Sequence, residues 1–150
     1  CFWGVQHMFV QLQGVERSFA GYTGGKETYP SYESVRKHAS SHIEAVAVEY
    51  DKDKIDYKAL CRFCFEIHDP AQTDGQGPDI GPQYRSAIFY RNQQELMTAK
   101  GVIEDLKSRG YKVNTLWQPA GDFWSAEGLH QNYYDNTSGE PYCHIRVKKF

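Results

Sequence analysis

Glu44-Ala-Val-Ala-Val-Glu-Tyr50 followed by Asp56-Tyr-Lys-Ala-Leu-Cys-Arg-Phe-Cys-Phe-Glu-Ile-His68 is the stretch whose pattern sets the fold class. In the first part Glu44, Val46, Val48 and Tyr50 share one face, the period of a strand. In the second, Tyr57, Leu60, Cys61, Cys64 and Phe65 recur at i, i+3, i+4, i+7 and i+8, an amphipathic helix with Asp56 as its N-cap. Asp69-Pro70 ends it. A strand running into a helix within 25 residues of chain calls for a sheet covered by helices.

The same reading extends outward. Val5, Met8, Phe9 and Leu12 follow helical spacing after Cys1, and Gly14 suits the end of that helix. Val15–Tyr22 reads as a strand, and a Gly- and Tyr-rich segment joins it to Glu44. From Asp69 to Pro82 the chain is rich in Gly, Pro, Gln and Asp, a long loop of the kind that carries function or disorder. Tyr84–Tyr90 and Val113–Gln118 are further expected strands, Gln93–Arg109 and Ala126–Tyr134 further expected helices. Leu96, Ala99, Ile103 and Leu106 are the inward face of the longer one. About four strands and three main helices intermix, which predicts an α+β or α/β two-layer domain.

At 150 residues the chain has the length of one domain with its own core. Seventeen Lys and Arg against nineteen Asp and Glu give a net charge of -2 without a run of one sign, which argues against a nucleic-acid clamp or a polybasic membrane anchor. No stretch approaches the ~20 apolar residues of a membrane span. Nothing in the residues sets the compartment. Aromatics make up 15% of the chain, eleven of them Tyr, a surplus that a packed core alone does not call for.

The four cysteines, at 1, 61, 64 and 143, are too sparse for a disulfide-stapled miniprotein. Cys1 stands where a helix begins, and aligned backbone dipoles favour a thiolate there. Phe2 and Trp3 would wall such a sulfur, although a small buried hydrophobe fits the position as well. Glu44, if buried beside Val46 and Val48, would have a raised pKa and serve as a general acid; its periodicity also fits an exposed strand end. Cys61, Cys64 and His68 offer a metal or redox reading, set against simple packing on the apolar stripe of their helix. Cys143 lies on no stripe, in a segment from 136 onward that has turn signals and little else.

Several motifs in fixed order carry a resemblance. They are Cys1-Phe-Trp-Gly-Val5, Gly21-Tyr-Thr-Gly-Gly25, Pro30-Ser-Tyr-Glu-Ser-Val35, His42-Ile-Glu-Ala-Val46 and His68-Asp-Pro70. Gln76-Gly-Pro-Asp79, Gln83-Tyr-Arg-Ser-Ala87, Ala126-Glu127 and His130-Gln131 follow. Together they resemble the peptide methionine sulfoxide reductase A family over nearly the whole chain. The resemblance implies Cys1 as nucleophile, Glu44 as the acid, and Tyr32 and Tyr84 as hydroxyls on the sulfoxide oxygen. It implies substrate contacts from Phe2, Trp3, Asp79 and Trp124, and Cys143 as the resolving cysteine. It further implies a monomer that acts on oxidised proteins or free methionine sulfoxide, without metal or organic cofactor, and is recycled by thioredoxin or a similar dithiol.

The fold expected with it is a two-layer α/β sandwich of ferredoxin-like type, with a mixed sheet, long loops and a loosely structured C-terminal tail. Residues 1–150 are then a single catalytic domain, with a core at 1–135 and a tail at 136–150 carrying Cys143. Cys143-His-Ile-Arg146 resembles domains fused to the R-specific reductase, so the domain is expected as one module of a longer protein, with the bacterial envelope as its setting in that case and the cytoplasm otherwise. A second class follows from Cys1 as first residue: an N-terminal-nucleophile amidohydrolase, whose α-amine would be the base.

Overall fold

A helix at Phe2–Val10 (α1) opens the fold, with Cys1 as its N-cap, and Gly14 turns the chain back into a strand at Val15–Thr23 (β1). Gly14 holds φ at +97°, and a side chain there would run into Ile55, so the turn needs glycine on both counts. β1 pairs antiparallel with Ile43–Tyr50 (β2), from Val15 opposite Tyr50 to Thr23 opposite Ile43. Between them Tyr32–Arg36 (α2) forms a short helix closed by a capping box of Ser31 and Ser34. The computed structural model describes all of residues 1–150.

Tyr57–Glu66 (α3) begins at Asp56, whose Oδ1 accepts the Ala59 N–H at 2.7 Å. The stretch after it holds a two-residue hairpin, Gly75–Gln76 (β3) with Asp79–Ile80 (β4). Ala87–Tyr90 (β5) and Leu116–Pro119 (β6) form a parallel pair, and Gln93–Ser108 (α4) makes the crossover that a parallel pair requires. Trp124–Ser125 (β7) adds to the free side of β1, and Tyr133–Asn136 (α5) is the last helix. The domain is a small mixed α/β fold. Its strands form three separate ladders, β2-β1-β7, β3-β4 and β5-β6, rather than one continuous mixed sheet.

Three apolar clusters hold these elements. Phe65, Ile88, Ala99, Val102 and Leu106 join α3 and α4 to β5. Phe9, Leu60, Phe63 and Ile67 join α1 to α3. Phe2, Ala20, Tyr22, Val35 and Ala126 lie under the first turn of α1 and fix the end of the fold where Cys1 sits.

Several expected elements are shorter than their patterns predict, and distant hydrogen bonds explain each case. Pro82–Tyr84 is a 3-10 turn, so the strand there starts at Ala87; the Ser86 side chain before it bonds His68 and Thr115. Asn114 gives its backbone N–H to Pro70 and its amide to Ala71, which keeps 113–115 out of the β6 ladder. The helix expected over Ala126–Tyr134 is a 3-10 turn at Gly128–His130 and then α5. Its break lies at Gln131, whose side chain takes the place of a strand partner for Ala20, bonding both its N–H and its C=O.

The C-terminal segment corrects a larger expectation. It has no helix or strand after Asn136, yet from Cys143 onward it is tied down rather than loose. Arg146 pairs with the buried Glu66 at 2.7 Å, and the Val147 N–H bonds Glu66 O at 2.8 Å. Lys149 Nζ caps the end of α3 through Phe65 O and His68 O, at 2.7 and 2.8 Å. Phe150 lies under the guanidinium groups of Arg62 and Arg109.

Candidate active site

Cys1 and Cys143, from opposite ends of the chain, face each other across Asp79. Their sulfurs and a carboxylate oxygen of Asp79 all lie within 4.8 Å of one another, and both cysteines are free thiols. Cys1 is held by the start of α1, Asp79 by the β3-β4 hairpin, and Cys143 by the docked tail. Tyr142 donates its hydroxyl to Asp79 Oδ1 at 3.2 Å, while Asp79 Oδ2 is buried without a hydrogen-bond partner, 4.0 Å from the Cys1 α-ammonium. These three are also the residues of the site that could share a metal ion. As two thiols already at close range they are equally suited to becoming a disulfide.

Glu44, early in β2, accepts the Phe2 N–H at 3.1 Å, so the carboxyl sits against the first turn of α1. Burial pushes it from 4.5 up to about 7, opposed by the Cys1 α-ammonium and then the Phe2 N–H, and assisted by Asp79 and Cys143. Glu44 is half-buried rather than exposed, against the strand-end reading. Tyr84, just after the hairpin, is raised to about 12 by burial and then by Glu44. Tyr32, at the first turn of α2, is raised by burial and then by Glu44. Both phenols therefore stay protonated and able to donate. A cavity of about 450 Å3 adjoins this cluster, lined by Cys1, Phe2, Glu44 and Tyr84 and extending along Val46 and Val48.

An aromatic wall completes the site. Phe2 is 2% exposed and stacks on Tyr32 with centroids 6.5 Å apart. Trp3 lies flat on Tyr133, 3.8 Å between centroids at 7°. Trp124, on β7, packs against the Phe2 cluster and meets Tyr29 edge-on at 4.9 Å. Of the eleven tyrosines, Tyr22, Tyr29, Tyr32 and Tyr133 pack against Phe2, Trp3 or Trp124.

Residues 1–150, the full chain, match the family model described as peptide methionine sulfoxide reductase. The chain belongs to that family. It is 39% identical over 147 residues to the peptide methionine sulfoxide reductase MsrA of Acinetobacter baumannii, covering 98% of this chain and 85% of that protein. With the enzyme of Nocardia farcinica it shares 43% over 147 residues, covering 96% and 84%. Among solved structures, Mxr1 from Saccharomyces cerevisiae in reduced form superposes with a TM-score of 0.91 at 32% identity, over 97% of this chain and 87% of that one. Mxr1 in complex with Trx2 matches in fold, with a TM-score of 0.64 at 22% identity over 97% and 82%. A reductase domain across every residue leaves the amidohydrolase expectation without support.

The reductase site holds residues that the pattern of the chain did not single out as functional. Glu127 accepts the Tyr32 N–H at 3.2 Å and the Tyr22 hydroxyl at 3.3 Å, and so fixes α2 to β1. His130 accepts the Trp3 indole N–H at Nδ1, 3.1 Å away, and lies 4.3 Å from the Tyr32 ring. Both belong to the Ala126-Glu and His130-Gln motifs, which were the available signal. Cys61, Cys64 and His68 are outside the Cys1–Asp79–Cys143 cluster but line the same cavity. Burial raises the two thiols to about 11 and about 12 and lowers His68 to about 4. Both His68 nitrogens already meet oxygens at 2.6 Å, from Cys64 and Ser86.

Proposed function

We propose that this chain reduces methionine-S-sulfoxide, free or in proteins, to methionine. The observation that carries the reading is the meeting of Cys1 and Cys143 thiols beside a carboxyl, Glu44, that burial keeps protonated near neutral pH. A sulfoxide is a poor electrophile until its oxygen is protonated. The Cys1 thiolate attacks the sulfur while Glu44 gives its proton to the oxygen and the Tyr32 and Tyr84 hydroxyls donate hydrogen bonds to it. The oxygen passes to Cys1 as sulfenic acid and methionine leaves. Phe2 and Trp3 hold the substrate's methyl group, with Trp124 and Asp79 as further contacts.

Cys143 then attacks the Cys1 sulfur. A Cys1–Cys143 disulfide forms, the oxygen leaves as water, and two electrons from an external dithiol restore both thiols. The complex of yeast Mxr1 with Trx2 supports thioredoxin as that dithiol. Nothing in this cycle calls on a metal or organic cofactor, and a monomer contains every group it uses. We read 1–150 as one catalytic domain with 143 in its tail segment. We also read β2 and β5, which line the same cavity, as parts of one ferredoxin-like sandwich.

The test is turnover with thioredoxin and mass spectrometry after one equivalent of sulfoxide. Cys1→Ser abolishes methionine formation, and Cys143→Ser stops after about one methionine per enzyme. A wild-type disulfide between any other pair, or unaltered thioredoxin-linked turnover in Cys143→Ser, overturns the assignment.

A further inference from the structure

We propose that His144 is the positioning residue that holds the resolving thiol of Cys143 against Cys1. The proposal rests on the reading of Cys143 as the resolving cysteine. His144 follows Cys143 directly and is 4% exposed. Its Nδ1 faces Ile67 O, just past the end of α3, at 2.8 Å, and its Nε2 faces the carbonyl of Cys1 itself at 3.1 Å. One ring therefore spans the helix that anchors the tail and the residue that carries the nucleophile. Each nitrogen meets an acceptor, so the ring donates to one carbonyl when neutral and to both when doubly protonated.

Sequence makes room for this ring at a single place. Gly4, in the first turn of α1, has no side chain, and a Cβ there would overlap His144 Cδ2 and come within 3.2 Å of its Cγ. The next anchors along the tail are Arg146, Val147 and Lys149, while most of 136–142 is exposed. Without His144, Cys143 would be held by the exposed Tyr142, through its hydroxyl on Asp79, on one side and by a tie three residues away on the other. With it, the thiol starts the second step already within reach of Cys1, which is where orientation speeds an intramolecular reaction most. His144 faces the Cys1 carbonyl, not its sulfur, so it has no part in proton transfer to the sulfoxide.

The role separates the two chemical steps. In rapid-quench single turnovers, His144→Ala forms methionine within about twofold of wild type but forms the disulfide about 10- to 100-fold more slowly. Cys1 sulfenic acid then persists long enough for capture by dimedone. Gly4→Ala gives the same split by crowding the ring while leaving His144 in the chain, and His144→Asn, which keeps one N–H donor, recovers part of the rate. Peptide mapping of the wild type comes first: any pair other than Cys1–Cys143 overturns the underlying reading, whatever His144 does. If the pair is Cys1–Cys143 and both variants close it at the wild-type rate, the positioning role is overturned. Equal slowing of both steps with a lowered melting temperature overturns it as well, because His144 would then be structural alone.

Discussion

Glu44 and Glu66 are both carboxyls taken out of water, and their surroundings give them opposite duties. Glu66, at the last turn of α3, is 5% exposed and meets the Arg146 guanidinium at 2.7 and 2.8 Å. Its charge is matched, and it serves to fasten the tail. Glu44 meets one backbone N–H, two phenols nearby and a second carboxyl at Asp79, and burial raises it to about 7. The Cys1 α-ammonium and the Phe2 N–H favour its charged form, but burial outweighs both and favours the proton. Burial is common to both; the strength of the partner that comes with it decides whether a buried glutamate becomes an anchor or an acid.

The largest effect should come from removing the acid. Glu44→Gln keeps the shape and slows the methionine-forming step about 10²- to 10³-fold in single turnovers at neutral pH. A loss below tenfold would put Glu44 on the same footing as an ordinary buried carboxyl. The wild-type rate of that step should also fall as pH rises through about 7, where the raised carboxyl gives up its proton. In Glu44→Gln that limb disappears.

The same shift has a stability side. A carboxyl raised from 4.5 to about 7 binds its proton more tightly in the native state than in the unfolded chain. Relative to acid conditions, stability is therefore lost as pH climbs through that window and stays lost above it. Glu44→Gln should raise the denaturant-unfolding free energy by on the order of 2 to 3 kcal/mol at pH 8 and change it little at pH 4. Equal stabilisation at both values would mean that ionisation of Glu44 costs the fold nothing.

At the other glutamate the sign reverses. Arg146→Ala leaves the buried Glu66 charge unmatched and should cost about 2 kcal/mol of stability, less than a fully enclosed pair because Arg146 itself is half-exposed. A loss under 0.5 kcal/mol would show that Glu66 does not rely on its guanidinium. Glu49 supplies the baseline. It pairs with Arg17 at 2.6 Å on the open surface, and Glu49→Ala should move stability by no more than about 0.5 kcal/mol.

The long periodic elements were legible in the chain because their signal is local. α1, β1, β2, α3 and α4 follow their apolar patterns closely, with Asp56 and Gly14 at the expected boundaries. The misread segments are those whose partners are remote: Asn114 bound to Pro70, Gln131 to Ala20, Arg146 and Lys149 to α3. A pattern of residues along the tail holds no trace of bonds to a helix some 80 positions earlier, so it read as loose. At the site, Cys1 was visible from its place at a helix start. Glu44 was visible as an acid only on condition of burial, since periodicity along β2 cannot report what covers a strand. The ordered motifs pointed there without that condition, and the same motifs contained Glu127 and His130 without indicating what they touch.

The close approach of Cys1 and Cys143 also reaches beyond chemistry. A bond between them would join the two ends of nearly the whole chain and so remove much of the freedom of the unfolded state. For a ring of that size the entropy withheld from the unfolded chain is worth about 5 kcal/mol. Each catalytic cycle would then alternate between a form that unfolds as an open chain and one that unfolds as a closed loop. An enzyme waiting, oxidised, for its dithiol would be in its most heat-resistant form.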